Sequence, residues 1–458
     1  MRRFNTYLTI LLALLLSSCG QEFLDIKRDK RQVIPQTITQ LQALLDNSNE
    51  MNLTGSAVLN VVGGEEYTVT SSVWNLLPAA VERNAYIWAA DVYEGSEGED
   101  WNNAYRKVLY ANTALDGIEK ISPAANEQQA WNNVKGSALF IRSFAFYQLL
   151  QTYAKAYNKQ TASTDLGIPL RLEADITIPV RRASIEACYQ QVIGDLQQAA
   201  SLLPQQAANK LRPSKSAAHA LLAKIYLSQQ EYLPAKTYAD SCIQSGAGLL
   251  DYNTLNTSLR YVFSNLRFGE GNPEVLYYQT IPGRTIVNAT RFILNPQLYQ
   301  LYDDADIRKA AFFFLSAGAY SFKGSYSGAY AFFCGLALDE IMLIRAECNA
   351  RLNELQAALT DLNELRKKRY RTLNYSNYNT TSQLQLLIKI QEERRKQLLC
   401  RGIRWEDLRR YNKETQFSTI LERNINGQAY QLAPESPRYV WPIPDEVITA
   451  SGIAQNPR

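Results

Sequence analysis

Along residues 185–203 the apolar and small side chains fall at Ile185, Cys188, Val192, Leu196, Ala199 and Leu203, three or four positions apart. That spacing lines one face of an α-helix. Ser184 stands where an N-cap oxygen is needed, and Pro204 where the helix must stop. The same period runs through residues 216–227 and 232–243, with the polar break Ser228-Gln229-Gln230-Glu231 between them and Gly246 just beyond. This predicts a helical hairpin. Within it Ala235 follows Ala223 by twelve positions, and Ala358 follows Ala346 by the same offset inside the helical run 343–365. Small residues at both positions let two helices pack closely, the logic of a tetratricopeptide repeat. Residues 101–121 and 131–153 are helical by the same criterion but fit the repeat more loosely.

Two stretches break the pattern. Residues 52–100 mix Gly, Thr, Val and aromatics, and residues 245–335 carry many Gly, Asn and Tyr with Pro273, Pro282 and Pro296. Both predict long loops with short strands, and ordered loops on a rigid scaffold are where binding residues concentrate. The proline-bearing stretch 439–458 is expected to be extended and packed on the surface.

The chain opens with the basic Met1-Arg2-Arg3 and an apolar stretch, residues 8–16, interrupted only by Thr9. Such a stretch falls far short of the ~20 residues that span a bilayer as a helix, and its flanks are those of a signal peptide. Leu16-Ser17-Ser18-Cys19 resembles a bacterial lipobox. The expected organisation is a lipoprotein signal peptide over 1–18 and one unit over 19–458, tethered through acylated Cys19. An ordinary signal peptide with an incidental cysteine is the alternative.

Composition narrows the chemistry. With 46% hydrophobic and 20% charged residues among 458, the chain has a globular core and is not disordered. The net charge of +4, two units of it from Arg2 and Arg3, is too small for a nucleic-acid footprint. One histidine excludes any mechanism or metal site that needs two. That residue, His219, lies among alanines in the hairpin and reads as a helix–helix contact. Cys188, Cys242, Cys334, Cys348 and Cys400 are odd in number and widely spaced, so they predict buried thiols rather than disulfides or a zinc site. No nucleophile elbow, P-loop or dinucleotide fingerprint is present. Asp303-Asp304-x-Asp306 lacks the ligand spacing of a calcium loop and reads as a solvated turn, with Asp306 pairing Arg308. Glu392-Glu393-Arg394-Arg395-Lys396 and Arg404-Trp405-x-x-Leu408-Arg409-Arg410 predict internal salt bridges around a buried Trp405. Tyr outnumbers Phe by 28 to 15. Such rings stack on sugars or peptide groups while their polar tips find partners. The loop aromatics Tyr67, Trp74, Trp88, Tyr93, Tyr320, Tyr326 and Tyr330 are therefore the candidate ligand-binding residues, with core packing as the competing role, above all for Trp88.

Taken in order along the chain, these motifs resemble the SusD/RagB family of surface lipoproteins. The resemblance is carried by Phe23-Leu24-Asp25, Asn84-Ala85-Tyr86-Ile87-Trp88, Trp101-x-x-x-Tyr105, Ala111-Asn112 and Ala138-x-x-x-Arg142-Ser143-Phe144. It continues through Gly167-Ile168-Pro169-Leu170, Arg182-x-Ser184, Arg345-Ala346-Glu347, Glu393-Arg394-Arg395, Arg404-Trp405-x-Asp407-Leu408-Arg409, Trp441-Pro442-Ile443-Pro444 and Gln455-Asn456-Pro457. Gln397 and Arg401 depart from it, since family members often carry acids there. The resemblance implies a mainly α fold, a tetratricopeptide-like hairpin scaffold plus an irregular, loop-rich half with short strands. It also implies a non-catalytic outer-membrane, cell-surface protein, partnered by a SusC-like TonB-dependent transporter and binding an oligosaccharide; the residues themselves indicate no cofactor and no metal site, and leave structural calcium open. A peptide ligand, as in RagB-like relatives, and a repeat scaffold binding only proteins are the alternatives. An envelope hydrolase ranks far behind.

Overall fold

Helix starts follow local chemistry. Ser184 accepts the N–H of Ala187 through its side-chain oxygen at 3.1 Å, and the helix it caps ends at Leu202. Thr37 and Gln40 form a reciprocal capping box at the start of Ile38–Leu45. In the computed structural model, which describes residues 35–263 and 268–458, chain contacts define two units, Met1–Gln36 and Thr37–Arg458. Every element named below belongs to the second. The signal peptide, the lipobox and Cys19 lie outside the described residues.

The longer helices are α1 (Ile38–Leu45), α2 (Glu99–Ile118), α3 (Gln128–Tyr153), α4 (Ile185–Leu202), α5 (Lys215–Ser228), α6 (Tyr232–Ile243), α7 (Leu338–Arg351), α8 (Leu355–Lys367), α9 (Gln383–Gln397) and α10 (Ile403–Tyr411). From α2 to α8 each packs on the next, and α9 packs on both α7 and α8. Helix α3 is covered on all sides, with every residue from Gly136 to Tyr153 buried. The four alanines of the twelve-residue offset, Ala223, Ala235, Ala346 and Ala358, are fully buried in the hairpins α5–α6 and α7–α8. His219 sits on α5 with its ring 5.9 Å from that of Tyr238 on α6, which is the structural role its setting predicts. All five described cysteines are buried free thiols.

Strands are short and pair in antiparallel twos. They are β1 (Tyr67–Thr68), β2 (Leu166–Pro169), β3 (Arg182–Ser184), β4 (Val275–Tyr277), β5 (Ile293–Leu294), β6 (Phe313–Ser316), β7 (Ala319–Phe322), β8 (Leu336–Ala337), β9 (Leu421–Ile425) and β10 (Gln428–Leu432). The pairs β2–β3, β6–β7 and β9–β10 are local. The pair β1–β5, with Tyr67 opposite Leu294, ties the irregular segment 52–100 to the irregular segment 245–335. Short helices at Val58–Gly63, Ser71–Asn75 and Ala80–Tyr86 interrupt the first of these, which is thus more helical than its composition suggests.

The arginine-rich motifs are interior. Trp405 is fully buried. Arg394 and Arg410 both hold Asp407, at 3.1 and 2.8 Å, and Arg410 also pairs with Glu347. Gln397, one of the departures from the family pattern, bridges a second buried cluster. It donates to Asp339 at 2.7 Å and accepts from Arg369 at 2.9 Å, while Arg401 pairs with the same Asp339 at 2.7 Å. With Gln and Arg here, Asp339 supplies the negative charge locally.

Two expectations are corrected. The turn at Asp303 does bring Asp306 to Arg308, at 2.8 Å, but the pair is wholly buried rather than solvated, because Glu393 and Lys396 of α9 complete it at 2.7 Å each. The stretch 439–458 lies on the surface only in part: residues 439–444 are interior, whereas the short helix Asp445–Ser451 has no buried residue and most of the remainder is exposed. Trp441 is fully buried, stacks on Trp405 with centroids 5.0 Å apart, and donates its indole N–H to Asn60 at 3.1 Å. Its ring fills the space beside Gly63, where a Cβ would come within 2.5 Å of it.

A candidate ligand groove beside Arg284

Besides the β1–β5 pair, a buried carboxylate joins the two irregular segments. Glu82, on the short helix Ala80–Tyr86, accepts the N–H of Thr285 at 3.2 Å and of Ile286 at 2.6 Å, fixing the turn at 285–288 that follows Pro282-Gly283-Arg284. Arg284 ion-pairs with Glu99 at the start of α2. Tyr330 donates its hydroxyl to the Val287 carbonyl at 2.5 Å, and Ser321 of β7 donates to the Ala289 carbonyl at 2.7 Å. The 282–291 loop is thus pinned from three sides.

Two cavities open beside this loop, both lined by Arg284. One, of about 260 Å³, is walled by Pro282, Arg284, Asn288, Arg291, Tyr330 and Phe332. The other, of about 200 Å³, is lined by Glu82, Tyr93, Glu99 and Asp100 over an apolar floor. Burial raises the pKa of Asp100 to about 6, although its carboxylate accepts the N–H groups of Val58 and Leu59. The larger cavity combines the partly buried phenol ring of Tyr330 with guanidinium and amide donors. That set suits a ligand with an apolar ring face and hydroxyls at its edge. It offers no activated nucleophile, and among the described residues no cluster of metal-ligating side chains occurs.

The seven candidate aromatics separate by burial. Tyr67, Trp88, Tyr93 and Tyr326 are at most 2% exposed and belong to the core, a correction with a common cause: each finds an internal partner for its polar tip. Tyr67 donates to the Val62 carbonyl and stacks on Phe292; Trp88 donates to the Gly63 carbonyl; Tyr93 shares a hydrogen bond with Tyr153; Tyr326 donates to Glu274. Tyr93 still borders the smaller cavity. Tyr330 lines the larger one, whereas Trp74 and Tyr320 are half-buried but line neither. Trp74 donates to the Arg83 carbonyl, and Tyr320 stacks on Tyr299 with centroids 3.9 Å apart. Sequence reasoning missed Arg284, Asn288 and Arg291. The signal for them was the Pro282-Gly283 pair inside a segment already marked as irregular.

With this geometry in hand, comparison with known proteins is decisive. A sequence profile described as "Starch-binding associating with outer membrane" matches residues 22–227, and the profile of the SusD family matches residues 338–458. The chain belongs to the SusD family. Crystal structures show the same fold: a SusD superfamily protein from Bacteroides thetaiotaomicron, 21% identical, superposes with a TM-score of 0.74 over 92% of this chain and 100% of its own. A SusD-like carbohydrate binding protein from Bacteroides vulgatus, 19% identical, gives 0.68 over 91% and 97%. SusD-like protein P2 of Formosa agariphila is 28% identical over 147 residues, 32% of this chain, and the match spans 27% of that relative's length. SusD-family proteins are binding proteins rather than enzymes, associated with the outer membrane and with sugars. Among the described residues no helix is long and apolar enough to cross a membrane.

Proposed function

We propose that this SusD-family protein captures an oligosaccharide in the groove beside Arg284 and delivers it to a SusC-like TonB-dependent transporter. One observation carries the reading: the partly buried Tyr330 ring lines one cavity with Arg284, Asn288 and Arg291, which lie on a loop that Glu82 and Tyr330 pin to the scaffold. Preorganised donors beside an aromatic face bind a polyol without the entropy loss of ordering a loop. The starch-binding description of the matching profile agrees with this chemistry. Lipid on Cys19, with residues 1–18 removed as a leader, would hold the protein at the cell surface, and the stacked helices would present the broad face a transporter needs.

The test is a binding screen of residues 19–458, with Cys19 replaced by Ala, against oligosaccharides and peptides. Binding of at least one glycan is expected, and a peptide-only result contradicts the oligosaccharide assignment. For the anchor, Cys19→Ala in the full chain is expected to move the protein out of the membrane fraction. Unchanged fractionation contradicts lipid attachment.

A further inference from the structure

The end of α3, the β2–β3 ladder, the end of α10 and the last residues of the chain enclose a cavity of about 560 Å³. It shares no lining residue with the groove beside Arg284. Besides Lys155, which pairs with Asp165, three cations line it: Arg182, Arg409 and Lys413. Each is held by neutral oxygens. Arg409, only 5% exposed, donates to the carbonyls of Gln151 and Ala154, acceptors that the end of α3 leaves without helical partners. Its Nε has no hydrogen-bond partner. Arg182 donates to the carbonyls of Gly167 at 2.8 Å and Ala454 at 2.9 Å and to the side-chain oxygen of Asn456 at 2.8 Å. Lys413 donates to the Tyr157 carbonyl.

Among the described residues none of the three ion-pairs with a carboxylate. Most buried arginines in this protein are paired, as Arg394 and Arg410 are with Asp407. Arg423 is likewise held only by carbonyls, and what sets this wall apart is that three such cations share one cavity. Of the two carboxylates in the wall, Asp165 is taken by Lys155 at 2.6 Å and Glu435 is exposed. Burial lowers the pKa of all three cations, and the Arg409 charge adds to the fall at Lys413 while Glu435 only partly offsets it. An anion entering this space would supply a counter-charge in a medium where it counts for more than in water. The wall also offers the amides Asn158 and Gln455 beside Leu166, Pro437 and Val440, so the ligand carries an apolar face and polar edges as well as charge. The volume lies in the ~300–1,000 Å³ range of small-molecule sites.

We propose that this cavity binds a small organic anion, one or two sugar rings in size, its anionic group held by Arg182, Arg409 and Lys413. The proposal does not rest on the nutrient assignment of the groove. Carboxylate and sulfate esters share the required chemistry, and digalacturonate and galactose 6-sulfate are probes that separate them. Calorimetric titration of the 19–458 chain with each is expected to give binding for at least one, weakening as salt rises. Lys413→Gln is expected to lower that affinity about tenfold, whereas Lys120→Gln, the same charge loss at an exposed site, leaves it unchanged. Because Lys413 also anchors Tyr157, a second variant separates binding from folding. Leu166→Trp, at a side chain 45% exposed, fills the cavity while keeping every cation, and is expected to abolish binding. No binding of either probe overturns the proposal, as does binding that neither Lys413→Gln nor Leu166→Trp weakens.

Discussion

Glu66 is 2% exposed, and its carboxylate accepts the Cys400 N–H at 3.0 Å. Burial raises its pKa to about 8, with the neighbouring Glu65 charge adding to the shift. A carboxyl whose folded-state pKa is raised stays protonated in the fold at pH 7, while the unfolded chain ionises near pH 4 to 5. Stability therefore falls as pH rises from there towards 8. Glu66→Gln keeps an acceptor for Cys400 and removes this penalty. Urea unfolding is expected to show the variant more stable than the parent by up to about 3 kcal/mol at pH 7 and indistinguishable at pH 4. At the groove, Arg284→Ala is expected to weaken glycan binding about tenfold, read by titration calorimetry. Side chains were the least legible level of the sequence. Tyr67, Trp88, Tyr93 and Tyr326 stand in segments of loop-like composition, yet partners up to 60 residues away satisfy their polar atoms and draw them inside. Only the Tyr67 partner, Val62, falls within a local window; the partners of the other three lie 25 to 60 residues away. Arg284, Asn288 and Arg291 escaped for the same reason, since their role follows from where Glu82 and Tyr330 hold the loop.

Elements were read more securely, because their causes are local. Ser184 and Pro204 bound a helix by cap chemistry alone, and the alanine offset located two hairpins by close approach. Ser184→Ala is expected to destabilise the chain by about 1 kcal/mol through the lost bond to the Ala187 N–H. The 439–458 segment shows the limit. Three prolines there exclude a long helix, but they do not reveal that Gly63 leaves a slot for the Trp441 ring. Gly63→Ala forces a methyl group against a rigid indole stacked on Trp405, and is expected to cost about 1–3 kcal/mol. A lower urea midpoint with an unchanged slope is the expected reading, and an unchanged midpoint would contradict the packing described.

Across the whole molecule, stability leans on buried ion pairs joining distant parts of the chain. Burial alone would raise the Asp407 pKa, but Arg394 and Arg410 pull it down to about 2. Glu393, held by Arg308 and Lys396, is also shifted down against its burial. A depressed carboxyl contributes stability that is fully present above its unfolded pKa, near 4, and is lost as pH falls through the folded value. Thermal melts are expected to show the midpoint dropping between about pH 4 and pH 2, less steeply in Asp407→Asn, which starts from a less stable fold. The family resemblance was legible because the residues that carry it, Trp405, Asp407 and Trp441 among them, build this interior. Ligand choice depends on the loop surface instead. Titration calorimetry of the 19–458 chain and its Tyr330→Ala variant, using the strongest-binding oligosaccharide of the panel, therefore tests the central claim most directly. The account predicts at least a tenfold loss of affinity in a variant that melts like the parent; equal affinity in the two would place the glycan elsewhere and contradict it.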